Sequence, residues 1–302
     1  MKLSIVISVY NNEKLLELTL ESVKDIADEI IIVDNTSSDN TVSIAKKYTK
    51  HVFIRPNNPM LNVNKNFGFT KATGDWILNL DSDERITSEL AKEIKEKIEN
   101  TDIVGYWIPR KNIIFGKWIQ NSIWWPDYHM RLFRNGKGTF KEVHVHELLE
   151  VKGPKERLEN PMIHENYQTI SQYLYKLDKI YTTNEAENLF KTGKKIVWID
   201  AIRFPVEDFL KTFFAQKGYR DGLHGLVLSI LQAFYAEIVF AKLWEKQGFE
   251  EYNDRNFLGK VKQEFEKVGK EINYWLLTGF MNETKSPIRK VGLKIKRKLQ
   301  RP

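Results

Sequence analysis

The chain has 302 residues, 42% of them hydrophobic and 29% charged, a globular composition with enough apolar material for one large core or a core plus a helical annex. It contains no cysteine, which excludes disulfides and thiolate metal sites, so any metal is expected to be a hard cation held mainly by oxygen. A formal net charge of +7 points to an acidic partner, whether a phosphorylated substrate, an anionic lipid surface or nucleic acid.

The first hundred residues alternate strand and helix signals. Leu3–Val9 (LSIVISV) is a buried strand, and Asn11, Asn12 and Glu13 follow at once, so this apolar stretch does not resemble a secretory leader. Leu16, Leu20 and Val23 fall at helical spacing. A second strand is expected at 29–33, a short helix at 41–48 and a third strand at 51–54. A helix at 64–72 is closed by Gly74. The fourth strand, WILNL, covers 76–80; Thr87 caps a helix to about Asn100, and a fifth strand covers 105–109. Strands rich in Ile and Val alternating with helices predict an α/β fold with a mainly parallel central sheet covered on both faces, whose ligands sit beyond the carboxyl ends of the strands.

From 111 to 150 the pattern becomes aromatic, basic and hairpin-like, with turn signals at Asn135-Gly136 and Lys137-Gly138. From about Ser171 onward the chain is mostly helical, with blocks at 207–217 and 226–247. The apolar run 223–244 is interrupted by His224, Ser229, Gln232, Glu237 and Lys242, which argues against a simple transmembrane helix. Residues 285–302 carry eight basic residues and no acidic ones. The domains expected are 1–165, catalytic, and 166–302, a helical region with a basic tail.

Asp81-Ser82-Asp83 follows the fourth strand directly. Two carboxylates one residue apart at a strand end can face one cation, and magnesium or manganese there would neutralise a leaving diphosphate. The bland alternative is a solvated acidic turn in which Asp83 and Glu84 open the next helix. Four segments in this order, SIVISVYNNE (4–13), EIIIVDNTSSDNT (29–41), NKNFGFTKATGDWILNLDSDER (64–85) and the triplet within it, resemble the family-2 glycosyltransferases of GT-A fold. The stretch from WWPDYHMRLFRNG (124–136) through VHE (145–147) resembles a narrower group, the β-1,4-glucosyltransferase-like enzymes of lipopolysaccharide-core assembly.

That resemblance implies an inverting, metal-dependent transfer from a nucleotide sugar, by family habit a UDP-sugar, to a glycolipid or lipopolysaccharide-core acceptor. It places Val9, Tyr10, Asn11 and Glu13 where base and ribose enter, Asp34 on the uracil imide, Lys65 and Asn66 near the donor phosphates, and Ser82 at the sugar. Asp81 and Asp83, with His164, would hold the cation, while Asp39 is expected to be structural. The general base must lie opposite the leaving phosphate; Glu147 is the first choice, Asp127 the second, and His146 orients base or acceptor. Trp124, Trp125 and Tyr128 offer faces for sugar stacking, and Arg131 and Arg134 offer charge for phosphate.

The apolar and basic helical region suits an anionic membrane surface, giving a cytoplasmic enzyme peripherally attached to the inner face of the membrane; a homodimer through these helices is the alternative. A nucleotidyltransferase usually has a glycine-rich loop after its first strand, whereas VYNNE has no glycine. A nucleic-acid binder is disfavoured because the densest basic run is terminal. A catalytically inactive scaffold is the remaining reading.

Overall fold

The computed structural model describes residues 1–58, 61–142 and 147–300. In chain order its elements are β1 (Leu3–Val9), α1 (Glu13–Val23), β2 (Glu29–Asp34), α2 (Thr41–Tyr48), β3 (Val52–Ile54), α3 (Leu61–Phe69), β4 (Trp76–Asp81), β5 (Glu84–Arg85) and α4 (Ser88–Lys97). There follow β6 (Gly105–Ile114), β7 (Lys117–Trp118), β8 (Asp127–Arg134), β9 (Gly138–Thr139), β10 (Glu150–Val151), β11 (Lys155–Arg157) and β12 (Met162–Tyr167). The helical part comprises α5 (Ile170–Lys176), α6 (Thr183–Lys191), α7 (Asp200–Phe209), α8 (Leu223–Lys246), α9 (Phe257–Glu283) and α10 (Pro287–Lys298).

The chain forms two compact units, Met1–Ile114 with Trp125–Asn166, and Phe115–Trp124 with Tyr167–Pro302. The second unit therefore includes residues 115–124, which the sequence places in the catalytic domain. Asp221, buried, anchors them there: its carboxylate accepts from the Gln120 amide at 3.1 Å and Asn121 Nδ2 at 3.2 Å. Such long-range pairing has no periodicity to betray it.

The first unit is a mixed sheet in the order β3-β2-β1-β4-β8-β6-β12-β5. β3, β2, β1 and β4 run parallel; β8 runs antiparallel to β4, and β6 antiparallel to β8. Every residue of β1 is buried, which explains a strand sequence without polar alternation. Its odd positions Leu3, Ile5 and Ile7 pack with Leu16, Leu20, Leu90 and Ile94 of α1 and α4. On the opposite face Val6 packs with Ile31, Val33, Phe69 and Ile77. The register aligns Val9 with Asp34 and Ser8 with Asp81, so the carboxyl ends of β1, β2 and β4 share one edge.

In the second unit α8 is long and apolar enough to cross a membrane by length and composition alone, although the polar residues interrupting it argue otherwise from sequence. Two of those residues, Gln232 and Lys242, have partners within the unit, whereas Glu237 Oε2 is buried without one among the described residues. Gln232 Nε2 donates to Asp208 Oδ2 at 3.0 Å, and Lys242 Nζ to Asp178 Oδ1 at 2.8 Å. Leu228, Val239, Phe240 and Leu243 are buried, so one face of α8 packs inside this unit, whereas Leu223, Ile230 and Phe234 are exposed. α9 and α10 are helices that the sequence reading leaves undivided.

Gly68 lets α3 lie close on the sheet: a Cβ there would meet Val6 Cγ1 at 2.5 Å and Val33 Cγ2 at 3.1 Å. Alanine is favoured over glycine in a helix by about 1 kcal/mol, but overpacking a filled core costs about 1–3 kcal/mol. Gly68→Ala is therefore expected to lower stability by roughly 1 kcal/mol in denaturant unfolding; a more stable variant would show that α3 can stand off the sheet.

Candidate active site

The loops after β1 and β2 interlock. Asn11 and Thr36 both have positive φ (44° and 61°), uncommon for residues with a Cβ, and local hydrogen bonds hold the loops in place. The Asn11 amide donates to Ser37 Oγ at 2.8 Å, and Asn11 Oδ1 accepts from the Ser38 amide at 2.8 Å. Asp39 Oδ2 accepts from the Glu13 amide at 3.1 Å, and Glu13 Oε2 accepts from the Asn40 amide at 3.0 Å. Asp39 is thus engaged in loop structure, and so is Glu13, which the sequence assigns to the donor. Tyr10 is exposed and Val9 buried at the end of β1.

Asp34 is fully buried; its Oδ2 accepts from the Ser37 amide at 2.9 Å, while Oδ1 is buried without a partner among the described residues. Asn35 and Asn64, absent from the sequence reading, line the same strand ends. Asn35 Nδ2 donates to the Val9 carbonyl at 2.7 Å, its Oδ1 accepts from Asn64 Nδ2, and Arg55 Nε donates to Asn64 Oδ1 at 2.9 Å.

The acidic triplet is fastened from several sides. Ser82 Oγ accepts from Asn12 Nδ2 at 2.8 Å, and the Ser82 carbonyl accepts from Thr19 Oγ1 at 2.9 Å. Asp81 Oδ1 lies 2.5 Å from Lys65 Nζ, and Oδ2 lies 2.5 Å from Arg131 Nη2. Arg131 Nη2 also donates to Glu84 Oε1 at 2.6 Å, and Glu84 Oε2 accepts from the Asp81 amide at 2.9 Å. Burial alone would raise Asp81, but the charges of Arg131 and Lys65 prevail and hold its carboxyl well below the ordinary range. Arg131, expected on the acceptor, is instead a buried strut between two carboxylates.

Asp83 Oδ2 lies 3.9 Å from His164 Nε2. Two ligands each ~2.1 Å from a shared cation stand about 3.0 Å apart when adjacent and about 4.2 Å when opposite, so this pair is within reach of one small cation. Asp81 as found does not, because both its oxygens face fixed cations. No group of three or more acidic or histidine side chains suited to a metal occurs among the described residues.

β6, β8 and β12 add a polar floor. Asp127 Oδ2 accepts from Arg110 Nη2 at 2.7 Å and from Asn112 Nδ2 at 3.0 Å, and Oδ1 lies 2.9 Å from His129 Nε2. Burial works to raise Asp127, but the hydrogen bond to His129 and the charge of Arg110 hold it well below the carboxylate range. Burial lowers His129, leaving its ring neutral near pH 7. Asp127 is thus a poor proton acceptor.

Glu147 Oε2 accepts from the Glu142 amide at 2.7 Å and lies 3.5 Å from Asn62 Nδ2. His146 lies outside the described residues. Asn66, expected near the phosphates, instead clamps the chain after β9: its Oδ1 accepts from the Phe140 amide at 3.0 Å and its Nδ2 donates to Glu142 Oε1 at 2.7 Å. Tyr128 carries the Arg157 guanidinium 4.6 Å from its ring centroid. Trp125 lies in the same unit, whereas Trp124 lies in the helical unit, edge-on to Tyr167 at 6.3 Å. Arg134 Nη2 donates to the Asn100 carbonyl at 2.9 Å and is structural.

Glu84 is fully buried, so removing Arg131 leaves it without its closest counter-charge. Arg131→Met is expected to cost about 3–5 kcal/mol in denaturant unfolding; a loss below about 1 kcal/mol would show that Arg110, 3.7 Å from Glu84, suffices as its counter-ion. Because the folded values of Asp81 and Asp127 are depressed, their stabilising contribution is complete above the unfolded value of about 3.9 and is lost as pH falls through the folded values. Thermal unfolding from pH 7 to 2 is expected to show that loss below about pH 4, and to show less of it in Asp127→Asn.

The family model described as Glycosyl transferase family 2 matches residues 4–148. An uncharacterised glycosyltransferase of Rickettsia typhi is 30% identical over 258 residues, covering 81% of this chain and 87% of that protein. The lipopolysaccharide core biosynthesis glycosyltransferase LpsC of Rhizobium meliloti is 27% identical over 252 residues, covering 81% of this chain and 92% of LpsC. Among solved structures, S. aureus TarS 1–349 aligns with a TM-score of 0.42 and 17% identity over 84% of this chain and 93% of that one. The family model and the Rickettsia typhi relative make the chain a family-2 glycosyltransferase, an enzyme that takes its sugar from a nucleotide-sugar donor.

Proposed function

We propose that the enzyme inverts, is assisted by magnesium or manganese, and moves the sugar of a UDP donor to a glycolipid acceptor of the lipopolysaccharide-core type. The observation that carries this reading is the convergence of Asp83 and His164, 81 positions apart in sequence, beside Asp81. A divalent cation held there supplies charge neutralisation for a leaving diphosphate. Asp34 Oδ1, buried and unpartnered among the described residues, is an acceptor suited to the imide N–H of uracil; an unsatisfied buried acceptor costs about 1–3 kcal/mol, which such a bond would offset. The acceptor class rests on similarity to LpsC.

Helix α3 links base and donor sides. Asn62 and Lys65 are one turn apart on it, the first reaching Glu147 and the second Asp81. Glu147 takes the proton of the acceptor hydroxyl, that oxygen bonds the anomeric carbon, and the bond to the diphosphate breaks on the opposite face. Lys65 stands on the leaving-group side. Trp125 and Tyr128 are the stacking surfaces proposed for the acceptor sugar.

We place the enzyme on the inner face of the membrane through α10. Leu293 and Arg297 are its less exposed positions, Arg297 lying 5.3 Å from the Tyr274 ring of α9. Ile288, Val291, Ile295 and Leu299 form one outward stripe, 86%, 59%, 61% and 80% exposed. Arg289, Lys290, Lys294, Lys296 and Lys298 flank it. Each basic residue near an anionic surface contributes about 1 kcal/mol, enough together with the apolar stripe to hold the enzyme there.

Calorimetry is expected to show UDP-sugar binding that requires manganese or magnesium and is lost in Asp83→Ala. Glu147→Gln should keep donor binding and lose about 10²–10⁴-fold in transfer rate. Absence of nucleotide binding with either cation would refute the donor assignment; wild-type rates in Glu147→Gln would refute the base. In flotation assays the enzyme should bind vesicles containing phosphatidylglycerol, and Val291→Glu/Ile295→Glu should abolish binding. Equal binding to neutral vesicles, or a solution dimer covering the stripe, would contradict this attachment.

A further inference from the structure

We infer that Asp127 is a positioning residue: through Asn112 it fixes the tautomer of His164, and thereby which ring nitrogen His164 presents to Asp83. The inference builds on the proposed cation site, but its first readout needs no cation.

The chain of bonds has one consistent direction. An ionised carboxylate only accepts hydrogen bonds. Asp127 Oδ2 already accepts from Arg110 Nε at 2.9 Å, so the Asn112 atom 3.0 Å from it is the amide nitrogen. That orientation turns Asn112 Oδ1 the other way, where it lies 2.6 Å from His164 Nδ1. A carbonyl oxygen cannot donate, so Nδ1 carries the proton. In the neutral ring Nε2 then keeps its lone pair, and Nε2 is the atom 3.9 Å from Asp83 Oδ2. Reversing the Asn112 amide would put N–H against Nδ1, move the ring proton to Nε2 and remove the lone pair from the Asp83 side.

The sheet makes this relay rigid. Arg110 and Asp127 are direct partners across β6 and β8, Asn112 follows two residues later on the same face of β6, and β12 carries His164 alongside. Asn112 is fully buried and His164 nearly so. Such outer partners orient a metal-binding histidine, and their loss typically lowers metal affinity about 10–100-fold. The same bonds explain why Asp127 is unsuited to be the base: both its oxygens are engaged in holding other groups.

The test is a long-range ¹H–¹⁵N correlation spectrum of histidine-labelled, metal-free enzyme, with His164→Gln identifying the His164 signals. Wild-type His164 should carry its proton on Nδ1. Asn112→Leu and Asp127→Asn should shift it wholly or partly to Nε2, and Asn112→Asp, whose carboxylate still accepts, should restore Nδ1. Manganese affinity by calorimetry should fall ~10–100-fold in Asn112→Leu and recover in Asn112→Asp. A wild-type proton on Nε2 overturns the relay without any variant, and so does an unchanged tautomer in Asn112→Leu. A tautomer that responds as expected in an enzyme that binds no manganese supports the relay and refutes the cation site.

Discussion

The site depends on how a fully buried carboxylate, Glu84, is paired beside Asp81. An uncompensated charge at such a place costs several kcal/mol, so a cation must reach it from within the protein. Arg131 does so from β8, bridging Glu84 and Asp81 from below. The Asp81 amide adds a bond to Glu84 from above, and Asn12 and Thr19 tie down Ser82. The triplet is therefore a preorganised edge, fixed before any ligand arrives, and preorganised charge is what makes electrostatic catalysis effective.

Much of this was legible locally. A mainly apolar strand, WILNL, ending in Asp-Ser-Asp announces its own position, because a buried parallel strand is largely apolar and charge appears at its carboxyl end. The α/β alternation likewise gave the parallel half of the sheet. What local patterns conceal is which cation meets which anion. Arg131 resembles a phosphate-binding arginine in sequence; its partners lie 47 and 50 residues earlier, and only the β4–β8 pairing brings them within reach. One signal was available: Asp127, His129 and Arg131 alternate with Tyr128, Met130 and Leu132 through DYHMRLFR, the period-two pattern of a strand with one polar face. Asn66 and Glu13, which the resemblance assigns to the donor, hold loops in the structure, since polar side chains near a site also serve that purpose. α9 escaped notice because only Glu264 and Val268 are buried along it, too few to give a stripe.

The two sides of the site differ in what holds them. On the side proposed for the nucleotide, backbone strain and side-chain to backbone bonds dominate: Asn11 and Thr36 keep positive φ because Ser37, Asp39 and Asn40 lock each loop to the other. Beneath the acidic triplet ion pairs dominate, arranged by strand register. A loop lock suits recognition of a flat base, where shape decides; a charge lattice suits phosphate chemistry, where field decides.

Charge counting links the two halves of the proposed reaction. Asp81, Asp83, Glu84 and Asp127 face Lys65, Arg110 and Arg131, four carboxylates against three fixed cations, with His129 neutral. Among these named groups there is one more carboxylate than there are fixed cations. The divalent ion proposed at Asp83 and His164 would turn that difference into an excess of one, which would stabilise a diphosphate that gains negative charge as it departs. Lys65, paired with Asp81, stands on the side proposed for the diphosphate. A site balanced in this way holds little net field when empty and turns positive only when the cation arrives. That would make donor binding dependent on metal even though Asp81 already has its own cations.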